Sequence, residues 1–191
     1  MEALLVSAGV VAIAELGDKT QLLAIFLAAR FRAPLPVIFG ILCATALNHT
    51  LAAVLGTYIG DWLGQYLRWI LAVSFLAMGV WALLPDKLEH KPKLFERYGA
   101  FGATVVSFFL IEMGDKTQLA TMALAARFDS VVPVAMGTTL GMLIADVPAV
   151  YLGGIVATKI PVRLMRIVAA TMFLALALAA VLDWGRRFLF A

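Results

Sequence analysis

The feature of this sequence that most constrains its fold is a polar motif that occurs twice inside apolar segments. Residues 15–21 read Glu-Leu-Gly-Asp-Lys-Thr-Gln, and residues 112–118 read Glu-Met-Gly-Asp-Lys-Thr-Gln. If both segments cross a bilayer, the two motifs place four carboxylates and two lysines at membrane depth. One charged group at that depth costs about 2.5–3.5 kcal/mol on insertion scales. Intramembrane carboxylates are typical of ion or proton pathways, so the motifs predict a functional site.

The composition predicts an all-α polytopic membrane protein. The 191 residues are 63% hydrophobic and 14% charged, and the mean hydropathy is +0.99, so polar residues are too few to cover a soluble domain. About 20 apolar residues cross a bilayer as a helix. Six such spans use almost the whole length and leave no room for a soluble catalytic domain. We therefore predict a protein that is not an enzyme, with six transmembrane helices at 3–29, 35–59, 67–85, 99–126, 131–157 and 163–182.

The six predicted spans divide into two copies of one three-helix unit. Residues 27–31, Leu-Ala-Ala-Arg-Phe, recur as residues 124–128, and Gly40 recurs as Gly137 at the same offset of 97 residues. Because each copy holds an odd number of spans, the second copy enters the membrane from the opposite side, which makes the pair an inverted repeat. We predict a first three-helix repeat, a basic cytoplasmic linker and a second three-helix repeat, at 1–85, 86–98 and 99–191.

The basic residues predict the orientation of the chain. With both termini on the outer side, the inner loops hold nine lysines and arginines and the outer segments hold four, as the positive-inside rule requires. The sequence pI of about 9.2 therefore reflects membrane topology. We expect this chain to have the lipid bilayer, and not nucleic acid, as its partner.

Within each motif, helical spacing predicts a pair of carboxylates with a lysine nearby. On a continuous helix, Glu15 and Asp18 lie three residues apart on one face, and Lys19 follows Glu15 by four residues. We expect the hydroxyl of Thr20 to bond to the backbone carbonyl of Leu16, as threonine often does inside helices. The second motif predicts the same arrangement for its equivalent residues, 97 positions later.

An inverted repeat brings the two motifs together near the membrane midplane. The predicted result is a cage of up to four carboxylates with two neutral amide oxygens as further ligands, formed by Glu15, Asp18, Glu112, Asp115, Gln21 and Gln118. Sites made only of oxygen ligands suit hard or borderline divalent cations such as Ca²⁺, Mn²⁺ and Mg²⁺. The single cysteine, Cys43, excludes a metal cluster based on cysteine.

Lys19 and Lys116 set the charge balance of the predicted cage. Four carboxylates and two lysines leave a net charge of −2, which one divalent cation or two protons would neutralise. The alternative is that each Glu–Lys pair is an internal salt bridge that only holds helices together. The excess of negative charge argues against that alternative, because unpaired buried charge is unfavourable in a low dielectric. For the lysines themselves, neutralisation alone and a part in function are both open.

Two further titratable residues occupy equivalent positions in the second span of each half. His49 and Asp146 are 97 residues apart and lie near the middle of their spans. Asp146 is a candidate proton carrier, and an unperturbed histidine titrates near physiological pH, so both residues are candidates for proton coupling. A lone intramembrane histidine is also often a packing residue with satisfied hydrogen bonds, which leaves a structural interpretation open.

The duplicated Glu-x-Gly-Asp-Lys-Thr signature resembles that of a family of divalent cation/proton exchangers. That family includes bacterial manganese exporters and the eukaryotic Golgi calcium and manganese transporters. The resemblance covers essentially the full chain, with one motif in each half. It implies that the cation site is formed by the Glu and Asp of both motifs, here Glu15, Asp18, Glu112 and Asp115. The length is similar to that of the compact bacterial members, which implies an integral protein of the bacterial inner (plasma) membrane.

The resemblance also implies a secondary active transporter that exports Mn²⁺ from the cytoplasm in exchange for protons. The metal ion and the protons are then substrates, and no cofactor is expected. One alternative is a Ca²⁺/proton antiporter of the same architecture. Another is a passive divalent cation channel, which needs weaker, multi-site binding than a carboxylate cage offers. The oligomeric state is left open by the sequence.

Overall fold

All secondary structure in the described part of the chain is helical. The computed structural model describes residues 1–84, 98–157 and 162–182. Its α-helices are α1 (Glu2–Glu15), α2 (Lys19–Phe31), α3 (Pro34–Leu63), α4 (Leu67–Leu83), α5 (Gly99–Glu112), α6 (Lys116–Phe128), α7 (Val131–Ala157) and α8 (Val162–Leu182). A 3₁₀ turn at Gly64–Tyr66 joins α3 to α4, and no strand occurs within the described residues. The predicted all-α class is confirmed.

The helices have the length and the apolar surface of a membrane protein. Three stretches of the described chain are long and apolar enough to cross a bilayer: Pro34–Leu83, which covers α3 and α4, Val131–Leu152 and Arg163–Leu182. The helices α1, α2, α5 and α6 are shorter, at 13 or 14 residues each. Large apolar side chains such as Trp62 and Leu178 are 84% and 58% exposed, which suits a surface covered by lipid.

The first helix of each predicted half is interrupted at the motif, which corrects one prediction. We expected continuous helices over 3–29 and 99–126, but the first stretch is divided into α1 and α2, and the second into α5 and α6. Gly17 and Gly114 adopt φ angles of +78° and +81° at these breaks. This left-handed conformation is one that glycine adopts without the strain that a Cβ would cause. The glycine of each motif therefore lies in the turn between two short helices.

The repeated sequence adopts the same local structure in both copies. Helices α5 and α6 begin and end 97 residues after α1 and α2, and α7 begins 97 residues after α3. The helices α2 and α6 also end alike, because Arg32 and Asp129 follow them with φ angles of 50° and 46°. The two copies of the repeat thus have the same local conformation, even where their residues differ.

The helices of the two predicted halves pack mainly on each other. Helix α7 lies against α1 and α2, α3 lies against α5 and α6, α3 and α7 contact each other, and α4 packs against α8. Glycines permit the closest contacts: a Cβ on Gly141 would lie 2.5 Å from the carbonyl oxygen of Ala8, and one on Gly40 would lie 2.6 Å from the Cβ of Thr104. This interlocked packing buries the C-terminal ends of α1 and α5 in the interior.

Some of the sequence predictions concern residues outside the described part of the chain. The predicted basic linker, 86–98, is described only at Tyr98, and residues 158–161 and 183–191 are also outside the description. The division into 1–85 and 99–191 and the orientation of the termini therefore stay predictions.

Candidate metal centre

Each motif places one carboxylate at the end of a helix and another at the start of the next helix. Glu15 is the last residue of α1, and Asp18 directly precedes the first residue of α2. The backbone N–H of Asp18 donates to the carbonyl of Glu15 over 3.0 Å, and the N–H of Asp115 donates to the carbonyl of Glu112 over 3.1 Å. A carboxylate at the N-terminus of a helix is favoured by the helix dipole. The predicted position of both carboxylates on one continuous helical face is therefore wrong, since each pair spans a turn.

The glutamine of each motif closes that turn. The side-chain oxygen of Gln21 accepts the backbone N–H of Gly17 over 3.1 Å, and that of Gln118 accepts the N–H of Gly114 over 2.6 Å. The amide of Gln21 also donates to the carbonyl of Ala145 on α7 over 3.1 Å. These contacts hold the broken helix in shape and tie α2 to α7. The role of the two glutamines as neutral metal ligands stays a prediction.

The threonine of each motif orients the neighbouring glutamate. The hydroxyl of Thr20 donates to Oε2 of Glu15, and the hydroxyl of Thr117 donates to Oε2 of Glu112 over 3.0 Å. The predicted bond from Thr20 to the carbonyl of Leu16 does not form, because the helix is already interrupted at that point. The threonines thus fix the direction in which each glutamate presents its other oxygen.

Three carboxylates from the two motifs meet in the interior. Glu15, Glu112 and Asp115 each offer one oxygen, and these oxygens all lie within 4.8 Å of one another. All three side chains are buried, with residue exposures of 0%, 0% and 2%. Oxygens bound to one Ca²⁺ at about 2.3–2.6 Å lie at most about 5 Å apart. The spacing of the three oxygens is therefore suitable for a shared divalent cation.

The two lysines pair with aspartates of the opposite motif. Lys19 Nζ lies 2.5 Å from Asp115 Oδ1, and Lys116 Nζ lies 2.7 Å from Asp18 Oδ1. The alternative interpretation, an internal salt bridge between the Glu and Lys of one motif, named Glu15 as the partner of Lys19, whereas the structure pairs Lys19 with Asp115. The ion pairs join α2 to the α5–α6 turn and α6 to the α1–α2 turn, and they place Asp18 at the edge of the centre.

Several buried carboxylate oxygens of the centre have no hydrogen-bond partner within the described residues. They are Oε1 of Glu15, Oε1 of Glu112 and Oδ2 of Asp115. A buried polar atom without a partner is unfavourable, and a buried ionised carboxylate much more so. Such oxygens indicate a site whose acceptors are satisfied by a cation or by protons. The residues of the centre therefore fit an oxygen-ligated divalent ion as substrate.

The structure places both secondary candidates in the interior. His49 on α3 and Asp146 on α7 are 0% exposed, and neither ring nitrogen of His49 nor either oxygen of Asp146 has a hydrogen-bond partner among the described residues. Asp146 follows Ala145, whose carbonyl oxygen accepts the side-chain amide of Gln21. The backbone of α7 therefore places Asp146 next to a residue of the first motif. The two interpretations of His49, proton coupling and packing, both stay predictions.

Sequence reasoning missed two supporting contacts. One is the bond from each motif threonine to its glutamate, since the sequence predicted a backbone carbonyl as the partner. The other is made by Asn48, whose amide donates to the carbonyl of Phe109 on α5 over 3.0 Å and so ties α3 to the helix that carries Glu112. The signal for Asn48 was its polarity in mid-span beside His49, but its partner lies in the other half and could not be read from the sequence.

Known proteins similar to this chain include bacterial and plant relatives. A protein of Vibrio cholerae serotype O1 named "Putative manganese exporter" is 49% identical over 181 residues, which cover 94% of this chain and 90% of that protein. The "GDT1-like protein sll0615" of Synechocystis sp. is 30% identical over 202 residues, with coverages of 93% and 94%. The "GDT1-like protein 3" of Oryza sativa subsp. indica is 27% identical over 203 residues, with coverages of 91% and 71%. No solved structure matches the chain.

The family assignment rests on both halves of the sequence. The family described as "Divalent cation/proton antiporter GDT1" matches the chain twice, over residues 3–90 and 100–187. The two matched segments are shifted by the same 97 residues as the two motifs, and each contains one motif. This is a family of transporters and not of enzymes. The chain therefore belongs to the divalent cation/proton antiporter GDT1 family.

Proposed function

We propose that this protein exports a divalent metal cation, with Mn²⁺ as the first candidate, from the cytoplasm in exchange for protons. The observation that carries the proposal is the buried group of oxygens from Glu15, Glu112 and Asp115, within 4.8 Å of one another. The group combines the end of α1 with the turn between α5 and α6, so it exists only where the two motifs meet. A cation bound there is held by both halves of the chain at once.

The choice of metal rests on ligand chemistry and on one relative. Carboxylate and amide oxygens suit Mn²⁺ and Ca²⁺, whereas zinc and copper favour histidine or thiolate ligands. Asp18 is at the edge of the same centre, and Gln21 and Gln118 are candidates for neutral ligands. The Vibrio cholerae relative is named "Putative manganese exporter", which favours Mn²⁺ over Ca²⁺ here. A Ca²⁺/proton antiporter of the same architecture is the second candidate.

Exchange with protons follows from the charge of the centre. The four motif carboxylates and the two lysines sum to −2 when all are ionised. One divalent cation or about two protons neutralise that charge, and a neutral centre is easier to enclose at membrane depth. Metal and protons then compete for the same oxygens. The gradient of one therefore drives transport of the other across the membrane. An inward proton gradient would run the metal outward.

The architecture that we propose is six membrane spans in two inverted three-helix repeats, with both termini on the outer side of the bacterial inner membrane. The broken first spans, α1–α2 and α5–α6, support it, since transporters of this kind use discontinuous helices to form a substrate site between repeats. Asp146, which follows the residue of α7 that binds Gln21, is our candidate for carrying a proton to the centre, and His49 is its counterpart in the other half.

The test is transport by the purified protein in proteoliposomes with an imposed pH gradient and a clamped membrane potential. We expect Mn²⁺ flux to follow the pH gradient and Ca²⁺ to compete with it. Asp18→Asn and Asp115→Asn should both lose this flux, whereas Asp129→Asn, the same change at the exposed end of α6, should retain it. Flux that ignores the pH gradient would contradict the antiport and favour a passive channel. Preference for Ca²⁺ over Mn²⁺ would favour the second candidate.

A further inference from the structure

Each motif lysine forms an ion pair with the aspartate of the opposite motif. Lys19 Nζ lies 2.5 Å from Asp115 Oδ1, and Lys116 Nζ lies 2.7 Å from Asp18 Oδ1. We propose that each ammonium is a tethered cation that occupies the metal centre when no metal is bound and withdraws when the metal arrives. This inference rests on the proposed function, and it gives the lysines a step in the transport cycle, the return of the metal-free carrier.

The first argument is that metal and lysine compete for one carboxylate. Asp115 binds Lys19, and it also offers one of the three oxygens that lie within 4.8 Å of one another. A divalent cation held by that group would be only a few ångströms from the ammonium. Two positive charges about 4 Å apart repel strongly in a medium of low dielectric. Metal binding at Asp115 therefore displaces the ammonium of Lys19.

The second argument concerns the metal-free centre. Without the metal and without the two ammonium groups, the four motif carboxylates would carry a charge of −4, of which the two protons of the proposed exchange would neutralise only half. The remaining charge opposes enclosure of the centre. A lysine is suited to relieve this, because its compact ammonium stands on a flexible four-carbon stem that can approach and retract. The crossed pairs also connect the two halves, so the tethered cations hold the halves together while the metal is absent.

The third argument is that the two ion pairs differ although their sequences are alike. The side chain of Lys19 is 21% exposed, whereas that of Lys116 is 5% exposed. In an alternating-access carrier built from two repeats, equivalent groups exchange environments between the two end states. Lys19 is therefore the ammonium that withdraws first in this conformation, while Lys116 keeps the charge on Asp18 balanced.

The test separates two modes of transport in proteoliposomes that contain the full-length protein. One mode is Mn²⁺/Mn²⁺ exchange at equal pH, in which the carrier crosses with metal in both directions. The other is net Mn²⁺ transport driven by a pH gradient, in which the carrier returns without metal. We expect Lys19→Met to lower the ratio of net transport to exchange by at least about tenfold, because the metal-free centre loses its internal cation. Lys19→Arg, which retains the charge, should restore much of that ratio.

A second measurement separates this role from a purely structural one. Because Mn²⁺ replaces the missing ammonium, it should raise the Tm of Lys19→Met by more than it raises the Tm of the wild-type protein. Lys19→Gln, a neutral side chain that still donates a hydrogen bond, should resemble Lys19→Met. If Lys19→Met does not fold, Lys19→Gln and Lys116→Met provide the same comparison.

Two results would overturn the inference. One is a ratio of net transport to exchange that does not change in Lys19→Met, as when both transport modes are lost equally. The other is a Mn²⁺-induced rise in Tm that is no larger in Lys19→Met than in the wild type. An equal loss is what a structural ion pair predicts, because it supports every conformation alike. Failure of the proposed function is distinguishable, since the wild-type protein would then show no net transport driven by the pH gradient.

Discussion

At the scale of single residues, the proposed metal centre contains candidate ligands and residues that hold those ligands in place. Glu15, Glu112 and Asp115 supply the convergent oxygens, and the threonine two positions after each aspartate holds the glutamate of its own motif. Each glutamate therefore has one oxygen engaged by a hydroxyl and one directed elsewhere. The ligands and their supports lead to different expectations for substitution.

Removal of one ligand charge should weaken metal binding. Glu112→Gln keeps the shape of the side chain, and we expect Mn²⁺ affinity to fall by at least about tenfold, because affinity follows the number of charged ligands. Glu15→Gln should behave alike if the halves are equivalent. Titration of the purified protein with Mn²⁺ measures this, with Glu2→Gln, the same change at the start of α1, as the control. Wild-type affinity in Glu112→Gln would remove that residue from the site.

Loss of a supporting hydroxyl should have a smaller but measurable effect. Thr117→Val removes the donor to Glu112 at nearly constant volume, and we expect Mn²⁺ affinity to fall by about tenfold, the lower end of the range for residues that orient metal ligands. Thr117→Ser keeps the hydroxyl and should remain close to wild type. The same titration measures both variants, and equal affinities for Val and Ser would show that the hydroxyl does not orient the ligand.

At the scale of helical elements, the breaks at Gly17 and Gly114 shape the centre. The glycine turns place Glu112 at the end of one helix and Asp115 directly before the next. The backbone N–H of Asp115 donates to the carbonyl oxygen of Glu112 over 3.1 Å. A continuous helix would instead direct the two side chains along one face. The broken helix is thus a condition for the convergence of carboxylates from both motifs.

Alanine at the break should strain the backbone. A Cβ on Gly114 meets nothing within 4 Å, so its φ of +81° isolates the conformational effect. We expect Gly114→Ala to lower the free energy of unfolding by about 1–2 kcal/mol and to reduce Mn²⁺ binding. The control is Gly9→Ala inside α1, where a Cβ also meets nothing within 4 Å and where alanine should stabilise by about 0.5–1 kcal/mol. Thermal unfolding in detergent measures both changes, and equal shifts of one sign would contradict this account.

The elements could be predicted from the sequence more fully than their contacts. The apolar runs indicated helices, and the repeated carboxylates indicated a site. The breaks were missed because a single glycine in an apolar run is compatible with a continuous helix. The partner of Lys19 was missed for a related reason: helical spacing places it nearest Glu15, and only the packing of the halves brings it to Asp115.

At the scale of the whole molecule, the two halves interlock, with α7 on α1 and α2 and α3 on α5 and α6. The repeat in the sequence predicts equivalent halves but not which half each helix packs against, because that depends on side-chain fit between distant segments. Since Glu15 comes from one half and Glu112 and Asp115 from the other, any relative movement of the halves changes the spacing of the ligands. If these residues bind the metal as we propose, metal binding and movement of the halves are linked.

The central claim is that metal and protons occupy the same carboxylates, and the most direct measurement is proton release on Mn²⁺ binding to the purified protein in a weakly buffered solution. We predict a release of about two protons per bound Mn²⁺ by charge balance where the carboxylates are protonated, and weaker Mn²⁺ binding as the pH falls, since coupled acidic sites exchange protons for a cation. Glu112→Gln should release fewer protons. Acidic groups in buried clusters titrate near the range from about pH 6 to about pH 8. The claim would be contradicted if Mn²⁺ binding released no protons and its affinity did not change across that range.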